Sequence, residues 1–136
     1  MTAVDSSLMV AGFASWHESH SRAREVLDEA PAAVGHALLE AYSVLTRLPA
    51  PHRAPSVVVR EFLDVRFTAA PLVLEAGELR DFVLDLDRLD LAGGAVYDAL
   101  IGRTAASHDV ELVTLDHRAL RIYDAVGCDA RLLGPS

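Results

Sequence analysis

Four carboxylates carry the chemical interest of this chain. Asp5 interrupts the apolar opening "TAVDSSLMVAGF", Glu40 sits inside "HALLEAYSVL", Asp98 follows a glycine pair in "GGAVYDALIG", and Asp116 ends the run "VELVTLD". Each alone has a structural explanation. Asp5 before Ser6 and Ser7 reads first as turn and capping chemistry, because its side chain can accept from the free amides of a helix start. Glu40 and Asp98 lie near expected helix starts, where the helix dipole favours an acid. As a set they mean something different. Carboxylates converging on one pocket repel, and would protonate or splay apart unless a cation neutralised them. All 12 basic residues are arginine, so no lysine can do so. Oxygen ligands without histidine or cysteine at metal spacing indicate Mg2+ or Mn2+ rather than zinc. Divalent ions held by several carboxylates suit phosphodiester hydrolysis, so the acids would need metal to accept RNA or DNA.

The elements that must position these acids alternate along the chain. Ala3–Val4 starts a short strand. A helix is predicted over 8–16, with Met9, Phe13 and Trp16 at i, i+4, i+7 on one face, and a more polar helix over 19–29. The stretch "AAVGHALLEAYSVLTRL" begins as a strand and becomes a helix whose buried stripe is Leu38, Tyr42, Leu45 and Leu48; the proline-punctuated "PAPHRAP" ends it. In "SVVVREFLDVRF" a helix capped by Ser56 is expected to bury Val58, Phe62 and Val65. "APLVLE" is a strand candidate, and "EAGELRDFVLDLDRL" a helix with Leu79, Phe82 and Leu86 inward. After Gly93-Gly94 come a helix rich in small residues, the strand "VELVTLD", a helix ended by Gly127 and a last strand "ARLL". Strands separated by helical crossovers imply a three-layer α/β/α sandwich around a mostly parallel sheet. Ligands gather outside the carboxyl ends of such strands, which is where Asp5 and Asp116 fall.

Composition bounds the rest. The 136 residues fit a single domain, 1–136, with a core that needs neither disulfide nor structural metal. Hydrophobic content of 51% and a mean hydropathy of +0.25 are high for a small soluble domain, which points to apolar surface buried against another chain. Cys128 is the single cysteine, so no internal disulfide forms and the cytoplasm is the expected compartment. The first dozen residues lack Lys and Arg, unlike a signal peptide, and no uncharged run nears the roughly 18–20 residues of a membrane span. The net charge of −8 excludes a general nucleic-acid-binding surface. Between Thr46 and Ala70, however, Arg47, Arg53, Arg60 and Arg66 face only Glu61 and Asp64, a local balance of +2 on an acidic body.

Four segments now carry a resemblance. "AVDSSLMVAGF", "ALLEAYSVLTRL", "GGAVYDALIGRTA" and "ELVTLDHRAL" occur in the order and approximate spacing of the PIN-domain ribonucleases, and the length resembles the VapC toxins of bacterial toxin–antitoxin pairs. Each motif is weak alone, whereas the ordered set covers nearly the whole chain. The resemblance implies a PIN-like fold and an acidic metal site at Asp5, Glu40, Asp98 and Asp116, with Ser6 and Thr114 orienting the acids. It also implies Mg2+ or Mn2+ as cofactor, a homodimer, and RNA cleavage to a 5′-phosphate and a 3′-hydroxyl. A cognate antitoxin would lie over a groove near the first helices, to which Met9, Phe13, Trp16, Phe62 and Phe67 are the candidates, although each equally suits a plain core. The first motif has Ser-Ser where Thr-Ser is frequent, which keeps a hydroxyl beside the site.

Arg47, His52, Arg53 and Arg60 are candidates for RNA phosphates, although surface arginines are usually just solvated; His117 and Arg118, directly after Asp116, are better placed. His17 and His20 read as a solvated helix face. A receiver domain or a haloacid-dehalogenase-type phosphatase shares the element order. The phosphatase wants a second Asp where Ser7 stands, and both need a lysine. A non-catalytic PIN-like interaction protein, acting through its partner, is the alternative of a different class.

Overall fold

The computed structural model describes residues 1–134; Pro135 and Ser136, the end of the expected domain, lie outside the described residues. Apolar segments too short for helices form the sheet: β1 (Thr2–Val4), β2 (Ala32–Ala33), β3 (Glu111–Thr114) and β4 (Ala130–Leu132). They lie in the order β2-β1-β3-β4 and all pairs are parallel, with Ala3 beside Ala32 and Leu112, and Leu112 beside Ala130. Ala3, Val4, Leu112 and Val113 are fully buried, as a parallel sheet covered on both faces requires.

Among the described residues seven helices make the crossovers: α1 (Ser6–Phe13), α2 (His20–Asp28), α3 (Gly35–Arg47), α4 (Ser56–Arg66), α5 (Ala76–Asp85), α6 (Ala95–Ser107) and α7 (Leu120–Ala125). The result is the expected α/β/α sandwich. The chain leaves β1 toward β2 on one side and returns to β3 on the other, so the strand order reverses between β1 and β3. A crevice opens at the carboxyl ends of strands at such a reversal.

Several elements differ from expectation in phase or extent. The "APLVLE" strand shrinks to one bridge, in which Leu72 exchanges backbone bonds of 2.8 Å with Ala33 and Gly35 at the β2 edge. Helix α1 stops at Phe13, so Trp16 lies beyond it, 48% exposed, with its ring 4.1 Å from that of His52. In α3 the buried stripe is Ala37, Ala41 and Leu45, and Tyr42 turns outward. Alanines let the helix approach its neighbours more closely than the larger side chains permit, so Ala37 and Ala41 replace Leu38 and Tyr42 in the stripe while Leu45 stays in it. For the same reason of phase, α4 buries Val59 while Val58 and Val65 are exposed, and α5 buries Phe82 while Leu79 is exposed. Pro55, not Ser56, stands at the cap of α4.

Two glycines bear on the site. Gly127 ends α7 at φ +80°, a conformation that side-chain-bearing residues rarely adopt. A Cβ at Gly102 of α6 would stand 2.8 Å from the Tyr123 ring and 2.9 Å from Val126, so its absence lets α7 settle against α6.

Candidate metal centre

Asp5 follows β1 directly, at the reversal of strand order. Its residue is buried, and four donors converge on its carboxylate. Oδ1 accepts from the Ser7 hydroxyl at 2.6 Å and from the Leu8 amide at 3.2 Å; Oδ2 accepts from Thr114 at 2.5 Å and from the Tyr123 hydroxyl at 2.7 Å. The Leu8 bond makes Asp5 the N-cap of α1. Capping uses Oδ1 while Oδ2 turns to Thr114 and Tyr123, so the same side chain starts the helix and ties it to the sheet edge. Burial pushes its carboxyl above the ordinary value, and the hydrogen bonds of Ser7, Thr114, Tyr123 and Leu8 oppose the shift.

Two hydroxyls link this acid to the end of β3. Thr114 donates to Asp5 and accepts from the Asp116 amide at 2.9 Å, while Ser7 accepts from the Leu115 amide at 3.0 Å. Asp116 in turn accepts from the Arg118 amide at 2.9 Å and caps the short 3-10 turn His117–Ala119. Its backbone position is thus tied to that of Asp5 through one buried threonine.

Glu40 lies mid-way along α3 and accepts from the Ser6 hydroxyl at the start of α1. Asp98 stands in the first turn of α6, where the dipole favours it, and only partly buried. Its carboxyl is pushed up to about 6, first by burial and then by the charges of Glu40, Asp116 and Asp5 in that order. Acids from four elements therefore share one field. The ion pairs seen among the described residues, such as Arg66–Asp28 and Arg88–Asp85, lie elsewhere. Among the described residues no three His, Cys, Asp or Glu side chains close into a finished cage. Asp5 and Glu40 are instead directed by hydroxyls of the scaffold. The donor chemistry nevertheless fits a hard divalent cation, since the charged side chains that act on Asp98 are all carboxylates.

An open cleft of about 460 Å3 reaches one of these acids, Asp116, and is lined also by Ser6, Ser7, His17 and Glu18. His17 accepts from the Ser19 amide at 3.0 Å, and the His20 ring bonds the Ala11 carbonyl at 2.8 Å, so neither is a merely solvated side chain. Tyr123 went unnoticed in the sequence. The available signal was a tyrosine within the helix after the last acid, whose hydroxyl must find a partner if buried. Arg47, His117 and Arg118 are exposed, and Arg53 donates to the Leu48 carbonyl at 2.9 Å.

Of the groove candidates, Met9 is fully buried and thus unavailable to any partner, because it points from α1 into the core. Trp16 stands apart from it beyond the helix. Phe13 and Phe62 meet edge to face at 5.3 Å and line a cleft of about 530 Å3 with Arg24, Val58, Glu61, Val65 and Arg66. Phe67 is half-buried against the core.

A parallel sheet with acids grouped at its strand-order reversal is the arrangement of a known class. The chain belongs to the PIN domain family, whose family model matches residues 2–125. Within it, the chain is of the VapC type: it is 41% identical over 133 residues to Ribonuclease VapC40 of Mycobacterium tuberculosis, covering 98% of this chain and 99% of the relative. Ribonuclease VapC27 of the same species is 40% identical over 126 residues, covering 92% of this chain and 91% of that protein.

Proposed function

We propose that this chain is a Mg2+- or Mn2+-dependent endoribonuclease and the toxin of a toxin–antitoxin pair, acting as one domain over 1–136. The observation that carries the reading is the grouping of Asp98 with Glu40, Asp116 and Asp5 at the strand-order reversal, where burial first and then their charges raise the Asp98 carboxyl to about 6. Such a group is neutralised by metal near neutral pH and is costly without it. The VapC ribonuclease relatives support RNA as the substrate.

Asp5, Glu40, Asp98 and Asp116 would hold the ion. When bound, it supplies a water ionised near neutral pH and takes up negative charge on the phosphate. The chain's own residues set the geometry. Ser6 directs Glu40; Ser7, Thr114 and Tyr123 direct Asp5; and the Thr114 hydroxyl ties Asp116 to the same frame. A water oxygen attacks phosphorus, the bond to the 3′ oxygen breaks, and that oxygen leaves as a hydroxyl, which gives a 5′-phosphate and a 3′-hydroxyl.

The partner reading rests on apolar surface. The Phe13–Phe62 cleft, flanked by exposed Val58 and Val65, suits an apolar segment of an antitoxin. Exposed Val73, Leu79, Val83 and Leu84 suit a homodimer. No helix of the described residues is long and apolar enough to cross a membrane, and we place the activity in the cytoplasm. The test is cleavage of an end-labelled single-stranded RNA. The expected result is cutting with Mg2+ or Mn2+, none with chelator, and product ends that accept 3′ ligation. Absence of cutting of any RNA under both metals overturns the nuclease reading.

A further inference from the structure

Helices α3 and α6 bring two more features beside the acids. Tyr97 immediately precedes Asp98, and His36 stands one helical turn before Glu40. The two rings stack, 7° from parallel with centroids 5.3 Å apart. Tyr97 is nonetheless 53% exposed. Together with Leu39, Glu40, Ser43 and Arg47 they line a cleft of about 250 Å3.

We propose that this cleft holds one nucleotide of a single-stranded RNA, its base against Tyr97 and an adjacent phosphate on Arg47. The proposal rests on the nuclease reading above and specifies where the strand runs beyond the acids. Three features support it. The His36 ring takes up part of one face of Tyr97 and so fixes the orientation of an aromatic that is otherwise exposed, giving a platform ordered before the strand arrives. Bases stack on such platforms with little regard to sequence, because every base has a π-face. Arg47 is uncommitted among the described residues, unlike Arg53, which is tied to a backbone carbonyl, or Arg66, which is paired with Asp28. Finally, the cleft shares Glu40 with the metal centre, so its occupant is a near neighbour of the phosphate being cut. A paired base is already stacked in its helix and cannot enter, so the cleft selects single strands.

The test is binding of a fluorescein-labelled single-stranded RNA decamer of mixed sequence, read by anisotropy with Ca2+ as the cation, beside hydrolysis assays in Mg2+. Tyr97→Ala is expected to weaken binding about tenfold, whereas Tyr97→Phe keeps the ring and stays within about twofold of wild type. Arg47→Gln is expected to weaken binding and to reduce the slope of log affinity against log salt by about 0.7, the value for one phosphate contact on a single strand. Circular dichroism and size-exclusion chromatography with light scattering accompany each variant. Unchanged affinity in Tyr97→Ala overturns the proposal, and so does a wild type that does not bind the decamer. A change of oligomeric state in Tyr97→Ala overturns it in favour of a second copy covering the cleft. If hydrolysis persists but binding ignores Tyr97, the subsite falls and the nuclease reading stands. If binding depends on Tyr97 but no RNA is cut, the reverse holds.

Discussion

Asp5 stands at the end of a strand and Asp98 in the first turn of a helix, and their surroundings differ in kind. Asp5 is buried among three hydroxyls and an amide, each with a fixed place in the fold. Asp98 is half-exposed, and what raises its carboxyl is first its partial burial and then the charges of Glu40, Asp116 and Asp5, with no hydroxyl or amide to oppose them. Both carboxyls are raised, yet one belongs to the scaffold and the other is strained by its neighbours. Asp5 therefore contributes to stability as well as to the proposed site, whereas Asp98, raised in the fold, weakens the metal-free fold at neutral pH.

The largest separation of the two comes from removing Asp5. Asp5→Ala deletes the cap of α1 and leaves the buried hydroxyls of Thr114 and Tyr123 without their acceptor, a net loss of about 3 kcal/mol. Thermal unfolding in chelator should shift down by roughly 10 °C, and RNA cleavage should vanish with it. A midpoint within a degree or so of wild type would show that Asp5 is not part of the scaffold.

Asp98→Asn should do the opposite to the fold. Cleavage should fall at least about 100-fold, the scale of losing a group that stabilises transition-state charge, while the metal-free protein becomes more stable at pH 7. The sign follows from linkage. The Asp98 carboxyl takes up protons more readily in the folded than in the unfolded chain, so its favourable contribution is complete below about pH 4 and is lost as pH rises through about 6. The gain from Asp98→Asn should accordingly be visible in denaturant titrations at pH 7.5 and disappear at pH 4. A gain that persists at pH 4 would contradict the charge argument.

Smaller still is the effect of Tyr123→Phe, which removes one of the four donors to Asp5 and leaves the packing of α7 on α6. About 1 kcal/mol of stability should be lost in urea titration. Metal affinity should fall as well, because Asp5 is less firmly directed. A variant with unaltered metal affinity would confine Tyr123 to packing.

The same contrast explains what was legible in the sequence. Asp5 and Asp116 could be placed at one sheet edge because each ends a short apolar run, and the run itself marks the strand. Glu40 and Asp98 could be grouped with them as acids near expected helix starts, and the resemblance then assigned all four to one site, since nothing in their own helices tells which strands lie beneath. The phase of α3 was misjudged because Leu38 and Tyr42 look more buried than Ala37 and Ala41, although the small residues pack closest. Tyr123 escaped for a related reason: its approach to Asp5 depends on the missing Cβ of Gly102, on a different helix. Met9 stays open between groove and core in the sequence, because periodicity gives the apolar face of a helix but not whether a core or a partner covers it; its full burial places it in the core.

The most direct measurement is the titration of the Asp98 side-chain carboxyl, followed by carbon NMR in metal-free protein and again with Mg2+ added. A cluster of acids awaiting a cation gives a midpoint near 6 without metal and a clear fall when Mg2+ is added. A midpoint near 4, the ordinary value for an aspartate, that Mg2+ leaves in place would contradict the existence of a shared metal site.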